Sequence, residues 1–193
     1  MEFVLFLTSF VFLVSTIYFH NRVESEFNNK TKGILFTAAV TYSFMGLLFA
    51  TNPDVVIRSW RYMDWFITVP LLLSELYLFL DNKTKNQKDL ILTITFSLIM
   101  LGFGFLGELN YMNKWVSNIL GSIAGVGIFY VLFKKIKKEH FKFLRAVAVL
   151  WLFYPIVYVI QDSWWTILLF SIVDLTSKVG TAFYIKNQER YFN

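Results

Sequence analysis

The sequence predicts an all-α membrane protein, a bundle of seven transmembrane helices in a single domain that covers residues 1–193. Of the 193 residues, 56% are hydrophobic and 22 are phenylalanine. Long apolar runs recur with only short polar breaks between them, which is typical of a multi-span helical membrane protein. The regular alternation and evenly spaced turn signals of a transmembrane barrel are missing.

Each of the seven runs is near the length of about 20 residues that crosses hydrocarbon. In chain order the predicted spans are Phe3–Phe19, Gly33–Ala50, Val56–Leu80, Leu90–Leu109, Val116–Phe133, Phe143–Ile160 and Trp164–Ile185. The first run follows Glu2 with neither a basic start nor a small-residue cleavage site, so we expect a retained span rather than a signal peptide. Because the connections are short, neighbouring helices should pack antiparallel in one compact bundle.

Basic residues predict the orientation of the bundle, because cytoplasmic breaks carry an excess of lysine and arginine. The breaks after the first, third and fifth spans and the C-terminal tail hold Arg22, Lys30, Lys32, Lys83, Lys85, Lys88, Lys134, Lys135, Lys137, Lys138, Lys142, Lys186 and Arg190. The opposite breaks hold little beyond Arg58 and Lys114. We therefore expect an extracellular N-terminus and a cytoplasmic C-terminus. The basic pI of 9.3 then needs no nucleic-acid partner.

The sequence offers little for a metal. It contains no cysteine, so neither a disulfide framework nor a thiolate metal site is expected. Its two histidines, His20 and His140, lie far apart in polar breaks. We expect them to be solvated loop residues rather than a metal pair.

The third predicted span carries charges that hydrocarbon disfavours. At about 100° and 1.5 Å per residue, Arg61, Asp64, Thr68, Leu72 and Glu75 share one broad stripe. Asp64 and Glu75 are nearly eclipsed and roughly 16 Å apart along the helix. Ionisable residues in a span face the bundle interior and indicate function by default, although an interhelical ion pair that only fixes packing is the plain alternative.

Two glycine patterns lie in the fourth and fifth spans. "GFGFLG", from Gly102 to Gly107, formally fits G-x-G-x-x-G, but the dinucleotide motif needs a preceding strand and a βαβ unit. Because this stretch lies inside an apolar span, we expect close helix packing through small residues. The same interpretation applies to "GSIAG", from Gly121 to Gly125.

The last span places Asp174 and Lys178 four residues apart, on one helical face. A lysine in a low-dielectric site is a nucleophile for an aldehyde and can form a Schiff base. A protonated Schiff base is a buried cation and needs counterions. Asp64 and Asp174 can supply two carboxylates, and Arg61 can balance the excess negative charge.

These stretches resemble one known family. "RYMDWFITVPLLLSE" with "DLTSK" resembles the third and seventh helices of microbial (type 1) rhodopsins, and "WLFYP", Trp151 to Pro155, resembles their sixth-helix retinal clamp. "FGFLGE", which ends at Glu108, is similar to the fourth helix of proteorhodopsins. The resemblance extends over spans two to seven.

The resemblance implies a light-driven transporter rather than an enzyme, with all-trans retinal bound to Lys178 as a protonated Schiff base. Asp64 would be the primary counterion and proton acceptor, and Asp174 the second counterion. Glu75 would be the cytoplasmic proton donor, a carboxyl group that apolar burial keeps neutral.

The resemblance also assigns roles around these groups. Arg61 would couple Asp64 to proton release on the extracellular side, and Thr68 would hydrogen-bond Asp64. Leu72 takes the position where proteorhodopsins carry Leu or Gln, and Leu there suggests green absorption. The remaining implied retinal-site residues are Trp65, Trp151, Tyr154 and Pro155 along the polyene, Tyr42 near the counterions, and Glu108.

The Asp64–Thr68–Glu75 set matches outward proton pumps of the proteorhodopsin type, in the cell membrane. An inward pump like xenorhodopsins stays open, although Glu75 argues against it. A photosensor, a light-gated channel and a purely structural membrane protein also stay open as alternatives. The expected partners are protons, membrane lipid and further copies of the chain in a trimer, pentamer or hexamer. A carotenoid antenna beside Gly121 or Gly125 is a further possibility that the resemblance raises.

Overall fold

The computed structural model describes residues 1–20, 26–51, 57–80, 87–160 and 163–192, and these residues are almost wholly helical. In chain order the helices are α1 (Glu2–His20), α2 (Glu26–Thr51), α3 (Ile57–Leu80), α4 (Gln87–Glu108), α5 (Lys114–Lys135), α6 (Phe141–Trp151), α7 (Phe153–Val159) and α8 (Ser163–Phe192). A 3₁₀ turn, Lys138–His140, leads into α6. Within the described ranges, 7 helical stretches are long and apolar enough to cross a membrane, and α6 with α7 forms the sixth.

The helices form a closed ring that follows the order of the chain. Each span packs against the next one, and α8 packs against both the sixth span and α1. Helix α8 also contacts α2 and α3 across the bundle. The inner face of α8 is therefore the place where side chains from several helices meet.

The charged side chains of the third and seventh spans lie inside this ring among buried apolar residues, and large apolar side chains also cover its outer face. Arg61, Asp64 and Glu75 are each 1% exposed, whereas Phe3 is 73% and Val126 67% exposed. This distribution is the one expected when lipid surrounds a bundle whose charges face its interior. The chain is therefore an integral, multi-pass membrane protein, as predicted.

Most predicted span ends lie within a few residues of the observed helix ends, but two helices are longer. Helix α2 begins at Glu26 rather than Gly33, and α8 ends at Phe192 rather than Ile185. An apolar run marks only the part of a helix that lies in hydrocarbon, whereas the helical hydrogen bonds continue into polar sequence. Of the residues used in the predictions, Arg22, Val56, Lys83 and Lys85 lie outside the described ranges.

The sixth span is not the single helix that Phe143–Ile160 predicts. It breaks at Leu152, between α6 and α7. Pro155 explains the break, because it has no N–H and its ring crowds the carbonyl four residues earlier, on Trp151. The amide side chain of Asn118 on α5 donates to the Pro155 carbonyl over 3.2 Å, which fixes α7 beside α5.

The glycine patterns pack as expected at most positions. A Cβ on Gly104 would lie 2.5 Å from the Tyr62 hydroxyl, and one on Gly121 would lie 3.3 Å from the main-chain oxygen of Met100. A Cβ on Gly107 would overlap the Ser117 side chain. At Gly102 the prediction of close packing is wrong, because nothing lies within 4 Å of its Cβ position.

Candidate functional site

Charges from α3 and α8 meet at the centre of the bundle. The Lys178 Nζ lies 2.5 Å from Asp64 Oδ2 and 3.5 Å from Asp174 Oδ2. All three residues are at most 2% exposed. The i,i+4 spacing on α8 brings Asp174 beside the lysine, and the α3–α8 contact brings Asp64. The amine is thus enclosed by two carboxylates.

Side chains from three other helices hold Asp174 in place. Its Oδ2 accepts from the Tyr42 hydroxyl over 2.7 Å and from Trp65 Nε1 over 3.0 Å. Its Oδ1 accepts from the Tyr154 hydroxyl over 2.6 Å. A buried carboxylate needs such partners, because an unpaired buried charge is costly. Asp174 therefore ties α2, α3 and α7 to α8.

Arg61 supplies a second buried positive charge in addition to Lys178, which balances the charge of the two carboxylates. Its Nη1 donates to the Tyr42 hydroxyl over 3.4 Å and its Nη2 to the Ile167 carbonyl over 3.3 Å. The guanidinium also lies 5.2 Å from the ring centroid of Phe170. Within the described part of the chain, Arg61 Nε and Asp64 Oδ1 are buried and make no hydrogen bond. With Lys178, two buried cations thus accompany two buried carboxylates.

Thr68 lies beside Asp64 but bonds its main chain. The Thr68 hydroxyl donates to the Asp64 carbonyl oxygen over 3.0 Å, one turn back along α3. The resemblance implies a hydrogen bond between these two residues, and the structure places it on the main chain rather than on the carboxylate. Thr68 is fully buried.

Glu75 lies apart from this cluster, towards the other end of α3. It is 1% exposed and accepts a hydrogen bond from the Thr31 hydroxyl on α2. Thr31 is not among the predicted site residues, because it precedes the apolar run that begins at Gly33. The carboxyl group is thus buried and has a polar partner on α2.

A cavity of about 680 Å³ begins at Lys178 and runs between α3, α5 and the sixth span. That volume lies within the range of about 300–1,000 Å³ usual for ligand pockets. Of the predicted retinal-site residues, Trp65, Leu72, Trp151, Tyr154 and Pro155 line it along with Lys178. The Trp65 and Tyr154 rings meet edge to face with centroids 5.4 Å apart, and Trp151 Nε1 donates to Ser177 over 3.0 Å.

Two predicted residues lie outside the cavity wall. Tyr42 hydrogen-bonds Asp174 and Arg61 and does not line the cavity. Glu108 ends α4, is half-buried and does not line the cavity. Helix α4 contributes to the cavity wall through Gly104 rather than through Glu108.

Other lining residues are absent from the predicted set. They are Tyr62, Val69, Met100, Leu101, Gly104, Ser117, Asn118, Ser122, Phe129, Tyr158, Phe170 and Ser177, among others. Tyr62 and Val69 follow the helical spacing of Trp65 and Leu72, and that spacing is the signal that finds them. On α5 the lining residues mix small, polar and aromatic side chains, and no charge marks them in the sequence.

The cavity also reaches the outer surface of the bundle, between α5 and the sixth span. There it is lined by Val126, Tyr130, Val149 and Leu152, which are 51–67% exposed. A long apolar aldehyde fits this arrangement, with its reactive end at Lys178 and its chain along the aromatic walls. Condensation with the amine would leave a cation between the two carboxylates.

One histidine differs from its prediction. His20 is exposed, as expected of a solvated residue, but His140 is only 4% exposed. The expectation of a solvated loop histidine is therefore wrong for His140. The sequence around it is polar, and its burial comes from side chains of α3 and α8 that are distant in sequence.

Comparisons with known proteins agree with this geometry. The model of the bacteriorhodopsin-like protein family matches residues 1–188. The green-light absorbing proteorhodopsin of Gamma-proteobacterium EBAC31A08 is 34% identical over 128 residues, 62% of this chain and 51% of that protein. Sensory rhodopsin-2 of Natronomonas pharaonis is 24% identical over 172 residues, 78% of this chain and 71% of that protein.

Among solved structures, the viral rhodopsin OLPVRII superposes with a TM-score of 0.83 at 23% identity, covering 100% of this chain and 98% of that one. That likeness concerns the fold alone. The aligned part of the chain spans about half the length of the proteorhodopsin relative.

Proposed function

This chain belongs to the bacteriorhodopsin-like family, and from that membership we propose that it is a light-driven outward proton pump with all-trans retinal on Lys178. Proteins of this family bind retinal through a Schiff base to a lysine. One observation carries the proposal: Lys178 Nζ lies 2.5 Å from Asp64 Oδ2 at the wall of an apolar cavity. Bound retinal would supply light absorption and a change of shape at the lysine nitrogen.

The acceptor in this proposal is Asp64. It is the carboxylate nearest the Lys178 nitrogen, and its Oδ1 makes no hydrogen bond within the described ranges. Asp174 is 1.0 Å farther from Nζ (3.5 against 2.5 Å) and is saturated by donors. Asp64 is therefore the better proton acceptor, while Asp174 holds a fixed negative charge. Arg61 stabilises the anionic pair from the outer side.

The donor is Glu75, about three turns from Asp64 along α3. Glu75 is 1% exposed, so bulk water does not reach the carboxyl group directly. Thr31 orients that group through its hydroxyl. Glu75 thus can reload the Lys178 nitrogen from the side opposite to Asp64, which gives the transfer one direction.

The charge distribution supports an extracellular N-terminus and a cytoplasmic C-terminus, and hence outward transport, in the plasma membrane. Lys134, Lys137 and Lys138 lie at the end where α5 passes into the sixth span, and lysines there favour the cytoplasmic side. Lipid covers the outer apolar face. We also propose that the chain forms a trimer, pentamer or hexamer.

The test is light-driven pH change in cells that express the chain with added retinal, with an uncoupler as the control. External acidification that the uncoupler abolishes is expected. External alkalinisation contradicts outward transport and indicates an inward pump. Glu75→Gln should slow reloading of the lysine nitrogen, whereas Glu108→Gln, outside the cavity, should leave it unchanged.

A sensory photoreceptor is the second candidate. It is favoured by the sensory rhodopsin-2 relative, whose alignment covers more of this chain than that of the proteorhodopsin. A coloured protein that changes no external pH, with a photocycle of seconds, would support the sensor over the pump.

The opening of the cavity between α5 and the sixth span supports a carotenoid antenna beside Gly121 and Gly125. The competing role of these glycines is helix packing, since Gly121 and Gly125 both lie against Met100. A fluorescence excitation spectrum of the protein with added carotenoid distinguishes an antenna site from a packing role of these glycines. Carotenoid bands in that spectrum support the antenna, and their absence leaves only packing.

A further inference from the structure

We propose that His140 is the relay that carries protons from the cytoplasmic surface towards Glu75. The inference rests on the outward pump proposed above, because only that function needs Glu75 to be reloaded from the cytoplasm. It assigns a role to a buried ionisable side chain that lies outside the site around Lys178.

The position of His140 is unusual for a residue in a polar connection. It ends the 3₁₀ turn before α6 and is 4% exposed. Its ring lies 4.7 Å, centroid to centroid, from the Phe79 ring on α3 and 6.2 Å from the Tyr184 ring on α8. It is therefore wedged between three spans at the end of the bundle where the basic breaks lie.

One ring nitrogen contacts a group that reaches water. His140 Nε2 lies 3.5 Å from Glu139 Oε1, and the Glu139 side chain is 54% exposed. Lys137 Nζ lies 3.7 Å from the same oxygen. An exposed carboxylate can collect a proton, and an imidazole can accept it near neutral pH. Glu139 is thus the surface end of the relay.

The other ring nitrogen points inwards. His140 Nδ1 lies 3.3 Å from the Tyr184 hydroxyl. The Tyr184 ring is fixed by stacking on Phe143, with centroids 3.6 Å apart and planes at 4°. Within the described ranges, the charged and titratable groups that face the imidazole are Glu139, Lys137 and Tyr184.

Phe79 connects this position to Glu75. It follows Glu75 by four residues, so the two side chains share one face of α3, one turn or about 6 Å apart. The imidazole packs on the cytoplasmic neighbour of Glu75. Movement of the Phe79 ring would open a path for water between the imidazole and the carboxylate.

The transfer conserves protons at every step. One proton binds His140 Nε2 from the Glu139 side, and one leaves Nδ1 to the Tyr184 oxygen. Tyr184 releases its own hydroxyl proton through water to the Glu75 carboxylate, where an O–H bond forms. The imidazole ends neutral with its proton on the other nitrogen, and a ring flip or a water returns it to the starting tautomer.

The test is flash photolysis of the full chain with bound retinal, with a pH-sensitive dye in the medium. His140→Gln should slow proton uptake from the medium by at least about 10-fold. It should leave the absorption maximum and proton transfer from Lys178 to Asp64 unchanged, and imidazole added to the medium should restore uptake. A merely structural role would disturb both transfers and would not respond to imidazole.

His20→Gln is the matched control, because His20 is exposed at the end of α1 on the same side. It should leave proton uptake unchanged. If His140→Gln yields no pigment, Tyr184→Phe tests the same relay, since it keeps the ring on Phe143 and removes only the hydroxyl. Slower uptake in Tyr184→Phe is expected.

Unchanged uptake in His140→Gln, or in Tyr184→Phe when that variant replaces it, overturns the relay alone if the unaltered protein acidifies the medium. An unaltered protein that alkalinises the medium, or moves no protons at all, overturns the pump and the relay together. The two failures are therefore distinguishable.

Discussion

At the scale of single residues, the lysine on α8 determines whether a pigment forms. Lys178→Ala should abolish the visible absorption band with added retinal, because no other amine of the described residues is placed beside both Asp64 and Asp174. Absorption spectroscopy of the purified protein measures this. Lys142→Ala, on the exposed face of α6, should keep the band. A covalent pigment in Lys178→Ala would contradict the assignment.

Asp64, the carboxylate nearest to the Lys178 nitrogen, should determine both proton transport and the position of the absorption band. Asp64→Asn should stop light-driven acidification and move the absorption band to longer wavelength, because a positive charge on the Lys178 nitrogen is then less localised. Acidification that protonates Asp64 should produce the same shift in the unaltered protein. A pH titration of the spectrum tests this, and Asp64→Asn should show no such titration. If the variant still titrates with the same shift, another group is the counterion.

Thr31 is the residue that the structure adds to the donor site. Thr31→Val removes the hydroxyl that donates to Glu75 while keeping the side-chain shape. We expect several-fold slower reloading of the Lys178 nitrogen, because Glu75 loses the group that orients it and one neutral hydrogen bond is worth about 0.5–1.5 kcal/mol. Time-resolved absorption measures the rate. Thr51→Val, exposed at the end of α2, should have no effect.

At the scale of the helices, close contact between α4 and α5 depends on glycine. Gly107→Ala should destabilise the protein by about 1–3 kcal/mol, because the new Cβ would overlap Ser117. Gly102→Ala is the matched control on the same helix, since its Cβ would meet nothing within 4 Å. It should be neutral or stabilising by up to about 1 kcal/mol. Thermal loss of the absorption band compares the two, and equal stability would contradict tight packing at Gly107.

Hydropathy patterns predict where the spans lie but not every feature of the helices. The seven spans are recognisable because apolar runs of about 20 residues are rare outside membrane-spanning helices. The break at Leu152 is not predictable in the same way, because hydropathy does not register the missing N–H of Pro155. The polar extensions of α2 and α8 escape prediction for a related reason, since helical hydrogen bonding does not end where hydrophobicity does.

At the scale of the whole molecule, orientation is the property on which the direction of transport depends. We expect a C-terminal tag to be accessible only from the cytoplasmic side, because the basic breaks favour that side. Protease or antibody access in intact and permeabilised cells measures this. A tag accessible from outside would reverse the direction assigned to the path from Glu75 to Asp64.

The central cluster is largely predictable from sequence because each charge interrupts an apolar run. Lys178, Asp64, Asp174 and Arg61 all stand out in this way, and the structure brings them together. The burial of His140 and the contact of Thr31 with Glu75 are not predictable. Both depend on side chains from helices remote in sequence, and neither residue interrupts an apolar run.

The short contact between Lys178 and Asp64 has a consequence for how the holoprotein is made. An amine must lose its proton before it attacks an aldehyde, and two carboxylates hold that proton in place. Assembly of the pigment should therefore be slow until the ion pair opens, and neutralising Asp64 should speed it. The same two carboxylates then stabilise the cationic product, so the arrangement that delays loading also makes release of the chromophore in the dark slow.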